Sequence, residues 1–375
     1  MQTLEGLRAG EPAWVLGFMS GTSLDGVDAA LILTDGERVL DFGPWSVTPF
    51  SAEVRALLAR ATDAARAWGF AGPPPNVFAE AATALACAHA DAGRALLAGW
   101  TGPAPVLVGF HGQTLLHRRT RPDAPGATCQ VGDARALATA LGLPVVHDFR
   151  TADVAAGGQG APLAPVYHLA LLARGGVEAV VLNTGGVANL TARTRKGPVA
   201  FDTGPANGPL DEWVSEHGAG AYDAGGLIGG RGRVHEALLV DWLDLPFFAE
   251  PPPKSLDRYD FSANLVRGLS LEDGAATLTA LAAAAVGAGL DLIDSTAETI
   301  VVCGGGRLNP TFMEMLAERT GCRVQAAEAL GWRGDAIEAE AFAFLAARSV
   351  RGLALSFPGT TGVPAPQTGG VLVEV

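Results

Sequence analysis

Apolar and polar positions in this chain first alternate as a hairpin. Val15–Thr34 reads V-L-G-F-M-S-G-T-S-L-D-G-V-D-A-A-L-I-L-T, an apolar run, a Gly/Ser/Thr/Asp turn and a second apolar run. The run after the turn is β-branched and carries no helix cap, which predicts strand–turn–strand rather than strand–turn–helix. A helical region over about Ser51–Trp100 is broken at Pro73–Pro75. Pro105–Phe110 and Pro144–His147 read as strands, with the polar, Arg/Pro-rich loop 117–128 and a short helix near Asp133–Leu141 between them. The Gly/Pro-rich stretch Ala155–Pro165 is the expected hinge.

The second half repeats this layout. After a helix near Val166–Ala173 comes strand–N-T-G-G–strand over Ala179–Thr191, and then Val199–Phe201 leads into D-T-G-P and a helix. A variable region includes Pro251–Phe261, and an Ala-rich helix covers about Gly274–Ile293. Thr299–Val302 is a strand delivering C-G-G-G-R-L-N-P, a helix starts at Pro310, and an amphipathic helix covers about Asp335–Val350. Two hairpin loops in successive halves predict a duplicated α/β unit. The expected division is residues 1–160 and 161–337, with the helix at about 338–355 packing back on the first.

Composition narrows the partners. The chain has 375 residues, 49% of them hydrophobic, enough to fill two cores. A net charge of −13 argues against nucleic acid or an anionic membrane. Lysine occurs only at Lys196 and Lys254. The four cysteines (Cys87, Cys129, Cys303 and Cys322) lie far apart without metal-ligand spacing, which suits a reducing compartment. The first residues have no apolar signal core, and Ala280–Leu290 is too short for a span, so a soluble cytoplasmic protein without a membrane partner is expected.

Candidate chemistry gathers at the glycine turns. Gly21, Thr22, Ser23, Leu24, Asp25, Gly26, Val27 and Asp28 form a turn that would bring backbone N–H groups and hydroxyls to a phosphate without a lysine. Asp25 would orient Mg²⁺ through water, since a hard cation prefers carboxylate oxygen. Gly185 and Gly186 repeat the pattern, or simply allow a tight turn. Gly304, Gly305 and Gly306 remove side chains where an adenosine could lie, although the dinucleotide spacing is absent. Asp202 sits at a strand end, either as an N-cap or as a reactive carboxylate with Asn207 and Asp211 nearby. His147, Asp148, Arg150 and Asp153 form either a salt-bridged edge or a site where Arg150 grips a substrate carboxylate. His111 and His117 lack zinc spacing, and Glu338 on its helix alone would read as a solvated face.

Taken together, M-S-G-T-S-L-D-G-V-D, H-G-Q-T, H-D-F-R-T-A-D-V-A-A-G-G-Q-G-A-P-L-A-P, L-N-T-G-G-V-A-N-L-T, F-D-T-G-P-A-N-G-P-L-D, P-P-K-S-L-D-R and V-C-G-G-G-R-L-N-P run in order along nearly the whole chain. In this the chain resembles the anhydro-N-acetylmuramic acid kinases. The resemblance implies an α/β, duplicated actin-like ATPase (ribonuclease-H-like) fold with two domains around a nucleotide cleft. It implies ATP and Mg²⁺ as cofactors, an anhydro-muramyl sugar as substrate and a homodimer. By the same resemblance Gly21–Asp28 is the phosphate loop and Asp202 the catalytic base. Glu338 supports the sugar end, and Thr114, Arg150 and Asp153 contact the sugar. The loop at 117–128 is richer in Arg and Pro than this family leads one to expect.

Overall fold

The computed structural model describes residues 2–120, 124–256 and 260–375. Part of the loop expected at 117–128, and Asp257 and Arg258 of P-P-K-S-L-D-R, lie outside the described residues. The chain divides into two compact units, residues 1–174 with 336–375, and residues 175–335.

The first unit opens with α1 (Leu4–Arg8), β1 (Ala13–Met19), β2 (Gly26–Thr34) and β3 (Val39–Pro49), an antiparallel meander. Helices α2 (Ala52–Trp68) and α3 (Val77–Ala98) follow, separated at the predicted proline break. Ser51 caps α2 by accepting from the Val54 N–H at 3.3 Å, and Gly69 ends it in the left-handed conformation. Next come β4 (Leu107–Phe110), β5 (Gln113–Arg118), β6 (Ala127–Val131), α4 (Ala134–Leu141), β7 (Val145–His147), α5 (Thr151–Ala155) and α6 (Pro165–Gly175). β5 and β6 form a separate two-stranded sheet that flanks the expected loop and overlaps it only at its ends.

The second unit repeats the meander with β8 (Val180–Thr184), β9 (Val187–Thr194) and β10 (Gly197–Pro205). It continues through α7 (Asn207–Glu216), α8 (Glu236–Leu243), α9 (Pro246–Ala249), α10 (Leu271–Asp291), β11 (Thr299–Gly304), α11 (Pro310–Thr320) and β12 (Arg323–Ala326). By length and composition α10 is apolar enough to cross a membrane, but 72% of its apolar window is buried within the protein. The chain then returns to the first unit with α12 (Ile337–Val350), α13 (Pro358–Thr361) and β13 (Val371–Val373).

The sheets share one topology. The first runs β13-β7-β4-β1-β2-β3 and the second β10-β9-β8-β11-β12. In each, a three-stranded antiparallel meander is extended by two parallel strands beside its first member. This is the ribonuclease-H-like arrangement in duplicate, the actin-like fold.

Side-chain alternation along β1 sets the layers of the first unit. Leu16 and Phe18 enter a cluster with Leu58 of α2 and Leu85 of α3. Gly17 faces the other way, in register with Gly109 of β4. A Cβ on Gly17 would collide with the Ala339 carbonyl of α12, and one on Gly109 with the Phe342 carbonyl. These two glycines therefore let the α12 backbone lie directly on the sheet.

The helix expected to be amphipathic is buried nearly all round, from Ala339 through Ala347. Its second face packs beneath α6, with the Tyr167 and Phe344 rings 5.6 Å apart. Glu340, fully buried, accepts a hydrogen bond from the Tyr167 hydroxyl. The contact draws α6 into the first unit, so the boundary falls at 174/175 rather than 160/161. The expected hinge at Ala155–Pro165 accordingly lies inside this unit. It is tied there by Gln159 N–H to the Thr361 carbonyl at 2.7 Å and Thr120 Oγ1 to the Gly158 carbonyl at 2.9 Å.

Candidate active site

In the first unit the β1–β2 turn presents Thr22, Ser23 and Asp25 to solvent. Leu24 adopts φ 60°, closing the turn as its N–H donates to the Gly21 carbonyl at 3.2 Å. The turn is braced from β5, where Gln113 Nε2 donates to the Gly21 carbonyl at 3.1 Å. Behind it, the Phe50 N–H donates to the Asp25 carbonyl at 3.0 Å. The exposed tip thus offers hydroxyls and a carboxylate on a held backbone.

Not every residue of Gly21–Asp28 belongs to that tip. Val27 is buried in the core, and the Leu24 side chain packs against it. Gly26 lies in β2, where a Cβ would strike the Thr48 carbonyl, and Asp28 sits further along the strand opposite Met19. Of Leu24 and Val27, only the backbone is left for the expected phosphate contact. They shape the turn from below.

Arg150 caps the start of α5 and is half-buried. Its Nε and Nη2 lie 3.1 and 3.0 Å from His111 Nε2, and its Nη1 donates to the Gly160 carbonyl at 2.8 Å. His111 Nδ1 lies 2.7 Å from the Gly112 carbonyl. A carbonyl only accepts, so Nδ1 carries the proton and Nε2 receives the guanidinium. Burial, reinforced by the Arg150 charge, holds the His111 pKa well below its ordinary value. Burial also lowers Arg150 to about 10, against the pull of Glu338 and Asp153. Among the described residues no carboxylate forms a salt bridge with Arg150.

Asp153 behaves differently from expectation. It is 2% exposed, and its carboxylate accepts from Gly160 N–H at 2.6 Å, Thr361 Oγ1 at 2.6 Å and Ser356 Oγ. These three donors on a 2%-exposed carboxylate give Asp153 a structural role. Asp153 fastens the loop beside Arg150 to the C-terminal segment.

Thr114, half-buried on β5, accepts from Gln130 Nε2 at 3.2 Å. Gln130 also lines a cavity of about 280 Å³ with Thr128, Cys129, His147 and Asp148. Gln130 carries no sequence signature because pairing of β5 with β6 sets it opposite Thr114, and the His111–Arg150 contact joins two segments that lie outside the strands. Glu338, in the first turn of α12, is solvent-accessible. Surrounding protein raises its carboxyl pKa above the ordinary value, and the charge of Arg150 partly offsets this.

In the second unit Asp202 stands at a β-bulge in β10, between its pairings with Asn189 and of Gly204 with Ala188. It lies within the strand rather than capping a helix. Its N–H donates to the Lys254 carbonyl at 2.9 Å, and its Oδ2 accepts from Leu256 N–H at 2.7 Å. The carboxylate is half-buried.

The carbonyls of Gly185 and Gly186 accept from Asn207 and from Ala206 and Gly208, at 3.0 and 3.1 Å. The β8–β9 turn thereby consumes the first N–H donors of α7. Of the three glycines after β11, a Cβ on Gly304 would lie 2.6 Å from Asn183 Oδ1 and one on Gly306 would strike Thr184 Oγ1. A Cβ on Gly305 would meet only Asn207 Nδ2, at 3.4 Å. Packing against β8 accounts for Gly304 and Gly306, while Gly305 is the one left for a ligand to approach.

The family model described as anhydro-N-acetylmuramic acid kinase matches residues 13–374. Proteins so named from Rhizobium rhizogenes and Phenylobacterium zucineum are 51% and 52% identical, over 97% and 96% of this chain and 100% and 99% of theirs. A gluconate kinase structure from Lactobacillus acidophilus overlays at TM-score 0.44 with 9% identity, covering 97% of this chain and 94% of that one. The duplicated topology is that of the actin-like class, and the family match makes the chain a kinase of that class. Within that class, the chain belongs to the anhydro-N-acetylmuramic acid kinase family.

Proposed function

We propose that the protein uses water to open the 1,6-anhydro ring of 1,6-anhydro-N-acetylmuramic acid and transfers the γ-phosphoryl group of ATP to O6. The products are N-acetylmuramic acid 6-phosphate and ADP, a step of cell-wall recycling. The observation that carries this reading is the family match along residues 13–374.

The residues supply a consistent chemistry. Asp202 takes a proton from water as the water oxygen bonds to the anomeric carbon, the role of the base in an inverting glycosidase. The bond between that carbon and O6 breaks, and O6 attacks the γ-phosphorus while the bond to the β-phosphate oxygen breaks. Leu256 N–H favours the ionised form of Asp202 that this step requires. Arg150, charged and without a carboxylate partner among the described residues, receives the lactyl carboxylate of the sugar. Thr114 and Glu338 serve the sugar end.

Thr22, Ser23 and the held backbone of the first turn receive phosphate oxygens. Gly185 and Gly186 shape the corresponding turn in the second unit, and Gly305 gives room at the adenosine. Among the described residues no three His, Cys, Asp or Glu side chains cluster as a metal site. Asp25, a single exposed carboxylate, suits Mg²⁺ that is otherwise held by phosphate and water. That ion would neutralise phosphate charge. The working assembly is proposed as a homodimer in the cytoplasm.

Turnover in ¹⁸O-water tests the reading. Label is expected at the anomeric oxygen of a phosphorylated sugar, with one ADP formed per sugar. Phosphate release without sugar product would refute it, and an unlabelled phosphosugar would point to a kinase acting on an ordinary hydroxyl.

A further inference from the structure

Lys254 is one of two lysines in the chain and is 6% exposed. Its ammonium donates to the Phe247 carbonyl at 2.6 Å and the Phe248 carbonyl at 3.2 Å, at α9. It also lies 4.4 Å from the centroid of the Phe247 ring and 5.9 Å from that of Phe201. Among the described residues no carboxylate forms a salt bridge with it. A buried ammonium held by carbonyls and ring faces fixes position rather than balancing charge.

What it positions is visible on its own backbone. The Lys254 carbonyl receives the Asp202 N–H, and two residues later the Leu256 N–H reaches Asp202 Oδ2. Residues 254–256 therefore grip Asp202 at main chain and side chain together. Phe201, the residue before Asp202, supplies one of the rings near the ammonium.

We infer that Lys254 is a positioning residue for Asp202, anchoring the 254–256 segment to α9 so that Leu256 N–H holds the carboxylate ionised and oriented. This rests on the reading of Asp202 as the base. Protonated Lys254 fills both carbonyls and so keeps the segment in register with β10. An arginine would carry the charge but not the compact shape that fits between two carbonyls and a ring.

The test compares Lys254→Met, Asp202→Asn and the double variant, measuring sugar-dependent ADP formation and the pH dependence of kcat. Lys254→Met is expected to lower kcat by roughly 10–100-fold with the ATP KM within about twofold. Its acid limb should move to higher pH, because losing an N–H donor disfavours the carboxylate. In the Asp202→Asn background the same substitution should cost less than about twofold. An unmoved acid limb, or an undiminished effect in that background, overturns the inference. If Lys254→Met does not fold, Leu256→Pro removes the donor directly, and its acid limb must shift likewise or the inference fails. Asp202→Asn retaining most of its turnover would instead overturn the base assignment, and the inference with it.

Discussion

Arg150 turns two guanidinium nitrogens toward a single acceptor, Nε2 of His111, at 3.1 and 3.0 Å. The histidine in turn is locked by the Gly112 carbonyl behind it. A charged side chain is thus aimed by a neutral one, and among the described residues no carboxylate forms a salt bridge with it, while Glu338 and Asp153 act on its charge from further away.

Replacing Arg150 by lysine keeps the charge but loses the fork. A lysine ammonium cannot reach His111 and the Gly160 carbonyl in one geometry. The sugar KM is expected to rise at least about tenfold, equivalent to about 1.4 kcal/mol, with the ATP KM unchanged. Steady-state kinetics with each substrate varied will decide this. A sugar KM within twofold of the parent would assign Arg150 a structural role alone.

Asp153 gives the opposite pattern. Asp153→Asn removes the charge from a group that receives three donors, at an expected cost of about 1–3 kcal/mol. The loss should appear in urea unfolding and as faster proteolysis within 356–375. The sugar KM of the folded variant should change less than for Arg150→Lys. A selective KM defect with unchanged stability would restore substrate contact to Asp153.

The glycine triplet separates packing from binding. Gly306→Ala forces a methyl onto Thr184 and should lower the melting temperature sharply. Gly305→Ala meets only ordinary contact and should fold normally while raising the ATP KM. Thermal melts paired with ATP titration distinguish the two. Equal destabilisation by both would return Gly305 to a purely structural role.

Buried histidines make stability fall in acid. Desolvation lowers His89 and His168 to about 4, from an unfolded value near 6.5. On acidification the unfolded chain takes up these protons first. Above pH 6.5 both states are neutral and these groups cost nothing, while a penalty of about 3 kcal/mol for each group accrues as pH falls from 6.5 toward 4. His89 packs against Phe18 and Phe110, and its Nε2 has no hydrogen-bond partner among the described residues. His89→Leu should flatten the slope between pH 6.5 and 4 without loss of stability at pH 8, measured by urea titration.

Much of this architecture is legible along the chain because strand hairpins repeat at the level of hydrophobic period. The Val15–Thr34 hairpin, the proline break before Val77 and the strand into Cys303 all follow from local pattern. Asp153 shows where that reading stops. Its three partners include residues 356 and 361, some two hundred positions away, and no spacing rule links them. The same holds for Glu340, which looks like a surface acid until Tyr167 closes over it. Burial of a polar group is decided by what packs on it, and that is a tertiary fact. Val27 is buried because a strand residue beside a polar turn still obeys the alternation of its sheet.

The passage of residues 336–375 back to the first unit has a consequence for synthesis. While residues up to 174 emerge from the ribosome, the Gly17–Gly109 floor lacks α12 and the edge of β7 lacks β13. The second unit is contiguous and has all its strands once residue 335 is made. Assembly therefore runs counter to the order of translation: the unit begun first is the one completed last, with an apolar sheet face waiting for its cover.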